Sequence, residues 1–600
     1  MKTKKNLWNL KPLLNKKNLN DNFKEWLKQK NYLIKIYPSF CKTFENFKEW
    51  HIKELEFAKI SNRIANYISC NLTENVISPL WNKWTQKFNF EFANFQKQIA
   101  NIENIILKNK KNILCWIEDD FFKDYKRSYL LLFKSEKHIL LENEEKIITD
   151  LLLVTSGFYE TFSIFSSSNI KYDKLKNKFN KNFSIATESD IFKYLKSKDE
   201  VLRKNAWNNY NNTYFKYKET LSSLLYYSFL NFNTIAKLRN FNDYVDMCCY
   251  EDEIDESLIL FIYKKVLKFS NLAKRFYEIR NKILKINNNL KKVNPWDKNL
   301  SIISFEKDFP LKQAKEIVLD SYKIFGNDYV SLVNRIFKEN WISYFPKENK
   351  QQGAYTVGDT LGLNIFPISL DYDQTISSVY TLTHEIGHAF HAYWSSKYQK
   401  VNSENEIFYS EIPSIANEVI LSYSLINKYK NKKIYLLVLD EMICNFFDTV
   451  IRQTVFSNFE YIFSKKIAEQ KFISYDEIEK IYGKLLEKYY LTKTDKKINK
   501  SLVSILRIDH FYVGNFYVYK YVIGQIIGFI CAQKLINNEN NFLNKYFNFL
   551  ASGSSLSPLD TIKLLGFNLK DNEIWLQCFK NISSLVDLYE KEYKKLIVKK

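Results

Sequence analysis

Between residues 23 and 107, aromatic and aliphatic side chains recur three or four positions apart among charged ones, as in Trp26, Leu27 and Leu33, then Trp81, Trp84, Phe88 and Phe92. That spacing gives a helix one apolar face, so amphipathic helices are expected there. A second helical region follows Asp119. Within it, Glu142, Glu144 and Glu145 precede the apolar run Ile147, Ile148, Leu151, Leu152 and Leu153, the order expected where carboxylates meet the positive end of a helix. The pattern breaks at Ser166, Ser167 and Ser168 and resumes at Asp199 and Glu200, which head an amphipathic segment through Trp207, Tyr214, Leu221, Leu225 and Phe229. A boundary is placed near residue 200. Residues 286–299, rich in Asn and Lys around Pro295, are expected to form a surface loop. Only residues 353–370 depart from helical spacing: glycines at 353, 358 and 362 and alternating Tyr355, Val357 and Leu361 predict strand.

Composition agrees with a mainly α fold, since 12 Gly and 9 Pro are few punctuators for 600 residues. The net charge of +22 raises the question of nucleic acid. The lysines are spread through the chain with Asn, Ile, Phe and Tyr and form no dense tract, so no specific nucleic-acid partner is expected. The first 17 residues lack the continuous apolar core of a secretory signal, which points to the cytoplasm. The most apolar stretch, residues 521–532, is interrupted by Gln525 and ends before Lys534; it is too short for a membrane span and reads as a buried helix. Eight cysteines, none two residues from another, read as buried reduced thiols, and the adjacent Cys248 and Cys249 are poorly placed to chelate one ion.

Of six histidines, His384, His388 and His391 stand together. His384 and His388 flank Glu385 in His-Glu-Ile-Gly-His, and residues four apart share one helical face, so both imidazoles can reach one tetrahedral zinc. Asp373 is the expected cap, and Ile376, Val379, Tyr380, Phe390 and Trp394 form an apolar stripe that puts the motif mid-helix. A catalytic zinc needs a third protein ligand and one open position. Glu411 is chosen: Pro413 suits the first turn of a helix there, and Glu418 lies two turns on along nearly the same face, able to support a ligand. His391, Glu404 and Glu406 are the alternatives, His391 converging poorly from the same helix and the two glutamates lying in an expected solvated loop.

These residues carry a resemblance. Residues 381–391 (TLTHEIGHAFH), 410–418 (SEIPSIANE) and 510–521 (HFYVGNFYVYKY), with Gly353-Ala354-Tyr355 upstream, resemble the thimet and oligoendopeptidase F family of zinc metallopeptidases. Residues 199–207 (DEVLRKNAW) and the acidic run near Glu142 are weaker echoes. The likeness runs in order from about residue 110 to the end. It implies a helical ellipsoid split by a deep substrate channel, with a small β-sheet beside the His-Glu helix. It divides the chain into an N-terminal helical region (1–110), an oligopeptidase F N-terminal-type helical domain (111–200) and a zinc metallopeptidase catalytic domain (201–600).

The resemblance implies one zinc per chain held by His384, His388 and Glu411, with Glu418 behind a ligand. It implies that Gly353, Ala354 and Tyr355 form a strand edge for extended peptides, and that a histidine and two tyrosines of the third block face the cleft: His510, Tyr512 and Tyr519, with Tyr517 as the alternative to Tyr519. The expected activity is endopeptidase cleavage of short unstructured peptides. Zinc would acidify a water and polarise the scissile carbonyl, and Glu385 would take the water's proton and hand it to the leaving amine. An exopeptidase of the same family and a noncatalytic basic binding protein are the other readings.

Overall fold

A computed structural model describes residues 8–15, 17–303, 308–429, 432–492 and 499–597. The chain forms two compact units, each assembled from separate stretches.

The first unit takes Met1–Glu145, Lys307–Ser424 and Ile527–Asn568. It opens with the expected amphipathic helices Leu19–Ile36, Phe44–Glu74 and Pro79–Gln98, whose first turns are capped by the side chains of Asn18, Thr43 and Ser78. Trp26 is their common anchor: wholly buried, it stacks on Phe57 at 5.6 Å, lies 4.9 Å from Phe88 and satisfies its indole N–H on Ser61 Oγ at 2.7 Å. Trimming such an anchor to alanine costs about 3–5 kcal/mol.

The second stretch of this unit carries a three-stranded sheet in the order β3 (Ile342–Ser343), β5 (Ile368–Ser369), β4 (Tyr355–Thr356). β3 runs parallel to β5, pairing Ile342 with Ile368; β4 runs antiparallel, pairing Thr356 with Ile368. The edge strand β4 falls where alternation predicts strand. The buried Lys350 clamps the sheet by donating to the carbonyls of Ser343 (3.2 Å), Phe345 (3.1 Å) and Leu370 (2.7 Å). Two helices follow, Ile376–Tyr398 with the histidines and Glu411–Lys428 with the glutamates. The histidine helix is capped by the Thr375 side chain, not by Asp373. The Asp373 carboxylate instead accepts from the Thr375 amide (3.1 Å) and hydroxyl (2.6 Å), because the chain turns two residues later than the pattern suggests.

The second unit takes Lys146–Glu306, Leu425–Ile526 and Leu569–Lys600. Asp199 caps helix Glu200–Phe215 as expected, and a separate helix, Lys218–Leu238, continues the apolar pattern. Residues 286–299 are more than a surface loop: a short helical turn, Pro295–Asp297, sends the fully buried Asp297 onto Arg203, whose Nε and Nη2 reach one carboxylate oxygen at 3.0 and 2.6 Å. The small hairpin of β1 (Leu175–Lys176) and β2 (Asn182–Phe183) went unforeseen, because two-residue strands carry no period.

The helix Val518–Ile536 covers the apolar stretch near 521–532, with Val522, Ile523 and Ile526 wholly buried. Among the described residues no helix is long and apolar enough to cross a membrane. All eight cysteines are free; Cys115 is exposed and Cys444 partly so, against the expectation that every thiol is buried.

Candidate active site

One turn and a little more separates His384 from His388, so both rings leave the same side of their helix. His384 Nε2 and His388 Nε2 lie 3.1 Å apart, and Glu411 Oε2 stands 3.4 Å from the first and 3.5 Å from the second. A tetrahedral ion with nitrogen and oxygen bonds of about 2.0–2.1 Å spaces its ligand atoms about 3.3–3.4 Å apart. The three atoms therefore already form the face of such a tetrahedron. Among the described residues this is the one cluster of three such side chains able to hold a metal ion.

The charges agree with the geometry. Burial disfavours an imidazolium at His384, yet Glu411 and Glu418 raise its pKa well above the ordinary histidine value. Burial likewise opposes the Glu411 carboxylate, but His388 and His384 hold it well below the usual carboxylate range. An environment that draws a proton to this point draws a divalent cation there too.

Supporting contacts fix these three side chains. His384 Nδ1 faces Glu418 Oε1 at 2.6 Å, which turns Nε2 toward the cluster, and Ser414 Oγ donates to Glu411 Oε2 at 3.1 Å. Beside Glu418, Asn417 donates to the hydroxyls of Tyr322 (3.2 Å) and Tyr329 (3.1 Å), and Tyr322 donates to the Thr383 carbonyl (3.0 Å). This buried network ties the glutamate helix to the turn of helix just before His384. The two helices also touch backbone to backbone where Gly387 meets Pro413 and Ser414.

Glu385, between the two histidines in the motif, is buried. Thr356 Oγ1 on β4 stands 2.6 Å from Glu385 Oε2 and 2.9 Å from the Glu385 carbonyl oxygen. Thr356 escaped the sequence reading; the one signal for it was its place after Gly353-Ala354-Tyr355 in the strand pattern. Gly353 adopts φ 98° and its amide donates to Asp371 at 2.8 Å, Ala354 follows it, and the Tyr355 hydroxyl lies 2.7 Å from Thr73 Oγ1.

The remaining alternatives for the third ligand separate. His391 is fully buried, packs 5.3 Å from the Phe549 ring, and has its pKa lowered to about 3 by burial and then by His388. Glu404 is exposed and Glu406 half-buried in the loop before the glutamate helix, and neither belongs to the cluster.

The third block lies in the second unit. The His510 ring stacks on Tyr517 at 5.4 Å, with Nε2 3.4 Å from the Tyr521 hydroxyl, and burial lowers its pKa despite Asp509. Tyr517 and Tyr521, one helical turn apart, are half-buried. Tyr512 and Tyr519 are not placed to serve a cleft. Tyr512 is buried against Phe162 and its hydroxyl donates to the Leu506 carbonyl at 2.9 Å, while the wholly buried Tyr519 donates to Asp252. A backbone kink lies within the block: Gly514, Asn515 and Phe516 take φ of 92°, 73° and 46°. A bulky residue in that region costs about 1–3 kcal/mol and marks a turn imposed by its surroundings.

Comparison with known proteins follows the same lines. The model for peptidase family M3 matches residues 193–581, and that described as oligopeptidase F matches residues 105–172. A homolog of oligoendopeptidase F from Mycoplasma pneumoniae is 33% identical, with 99% of each chain covered. Among solved structures, a candidate peptidase from Chlamydophila abortus superposes with a TM-score of 0.83 at 23% identity over 98% of each chain. Oligoendopeptidase F from Enterococcus faecium superposes with a TM-score of 0.73 at 20% identity, over 97% of this chain and 99% of that one. At these identities the structures establish a shared fold.

Proposed function

The chain belongs to peptidase family M3, and on that premise we propose that it is a zinc-dependent endopeptidase of the oligoendopeptidase F type, acting in the cytoplasm on internal bonds of short unstructured peptides. The observation that carries the reading is the triangle of His384 Nε2, His388 Nε2 and Glu411 Oε2, with sides of 3.1, 3.4 and 3.5 Å.

In this reading those three residues hold one zinc ion and Glu418 orients His384 behind it. Bound there, zinc supplies Lewis acidity, which sharpens a water as nucleophile and polarises the carbonyl it attacks. Glu385 does the proton work. Thr356 occupies its Oε2, so Oε1 accepts the proton of the attacking water and returns it to the leaving nitrogen. The edge strand β4 and Gly353-Ala354 before it hold the peptide extended through backbone hydrogen bonds, which tolerate many side chains. The resemblance of the third block supports reading His510 as a donor to the developing oxyanion.

The test is an internally quenched short peptide blocked at both ends, given to wild type and to Glu385→Gln, with zinc measured on both. Internal cleavage by wild type alone, with zinc retained in both, is the expected result. An intact blocked peptide beside wild type loaded with zinc would favour exopeptidase or binding roles.

A further inference from the structure

The first unit contains an open pocket of about 480 Å³ lined by side chains of helices Phe44–Glu74, Pro79–Gln98, Ile102–Lys108 and Lys126–Lys134. Its volume falls within the range of about 300–1,000 Å³ typical of small-molecule sites. Its walls are largely apolar and aromatic, with Trp50, Phe57, Phe95 and Tyr125 among them. In a chain with 89 Lys and Arg against 67 Asp and Glu, the lining holds two carboxylates, Glu54 and Glu103, and no Lys or Arg.

Glu54 is the unusual member. Its carboxylate makes no hydrogen bond or ion pair among the described residues, and burial, with no neighbouring cation to offset it, raises its pKa. His51, also in the wall, has both ring nitrogens engaged: Nδ1 at 2.7 Å from the Phe47 carbonyl, Nε2 at 2.6 Å from the Tyr129 hydroxyl. An acid that shares a pocket wall with aromatic rings and has no cationic neighbour is complementary to a cation with an apolar body.

We propose that this cavity is a binding site for an amphipathic organic cation, an ammonium or guanidinium head paired with Glu54 and an apolar body among Trp50, Phe57 and Phe95. The site takes either a free amine or the basic side chain of a short peptide, since both present the same chemistry.

Calorimetric titration of the full chain with phenethylammonium chloride tests the site, beside 2-phenylethanol, which keeps the ring without the charge. Saturable binding of the amine is expected, about tenfold or more tighter than the alcohol and weakened about tenfold or more in Glu54→Gln. Ala58→Phe, which fills the cavity from its half-buried wall, is expected to abolish binding. A blocked acetyl-Phe-Lys-amide competitor, added in a Glu385→Gln background so that nothing is cleaved, separates the sources. Displacement assigns the site to a peptide side chain and its absence to a free amine, and either result supports it. Equal binding by wild type and Glu54→Gln, equal binding of amine and alcohol, or no saturable binding overturns the proposal.

Discussion

A β-carbon on Gly387 would stand 2.6 Å from Ser414 Cα, so the histidine helix and the glutamate helix cross at a distance that only glycine permits. Glu411 is three residues before Ser414, and its reach to His384 and His388 depends on that crossing.

Gly387→Ala is therefore expected to part the helices, lowering stability by about 1–3 kcal/mol or more and weakening metal retention. Thermal melts and metal analysis check this. Gly157→Ala is the control: beyond its chain neighbours and its own helix backbone nothing lies within 4 Å of the added carbon, and a neutral or slightly stabilising effect of about 0.5–1 kcal/mol is expected.

Glu418→Gln leaves all three proposed ligands in place but removes the carboxylate that orients His384. Metal affinity is expected to fall about 10–100-fold with the fold intact, measured by chelator competition and circular dichroism. Unchanged affinity would dismiss the orienting role.

Thr356→Val keeps the shape of the side chain and deletes the hydroxyl that faces Glu385 Oε2. The expected result is a kcat lowered by about tenfold or more, with KM and metal content unchanged. Thr356→Ser should restore most of the rate, and loss of metal in Thr356→Val would show that the hydroxyl matters to the site as a whole.

His51 is held neutral: burial, opposed only by the Phe47 carbonyl, lowers its pKa to about 4 from 6.5. The unfolded chain then binds more protons than the folded one between those values. Stability present above pH 6.5 is expected to be lost progressively as pH falls toward 4, by about 3 kcal/mol at most from this residue. Denaturant melts across that window, compared with His51→Leu, should show the mutant with the shallower acid slope.

Among the cysteines Cys115 alone is exposed. One fast thiol in the native protein is expected with an aromatic disulfide reagent, and Cys115→Ser should remove it. Several fast thiols would contradict the burial found for Cys41, Cys70, Cys248, Cys249, Cys531 and Cys578.

The sequence by itself determined what depends on short separations. His384 and His388 share a helix face because 3.6 residues make a turn, Asp199 caps the helix that follows it, and Trp26, Leu33 and Phe88 face inward because their spacing puts them on apolar stripes. Glu411, 23 residues from His388, was reached through helix-start chemistry and family resemblance, since no periodicity spans that gap. Only the tertiary structure decided how segments distant in the chain meet. The Gly387 crossing, the approach of Thr356 to Glu385, the pairing of Asp297 with Arg203 and the left-handed kink that buries Tyr512 and Tyr519 while Tyr517 and Tyr521 flank His510 all arise from such meetings. Such contacts follow from close packing across many elements at once, and no local spacing records which partner a side chain will meet.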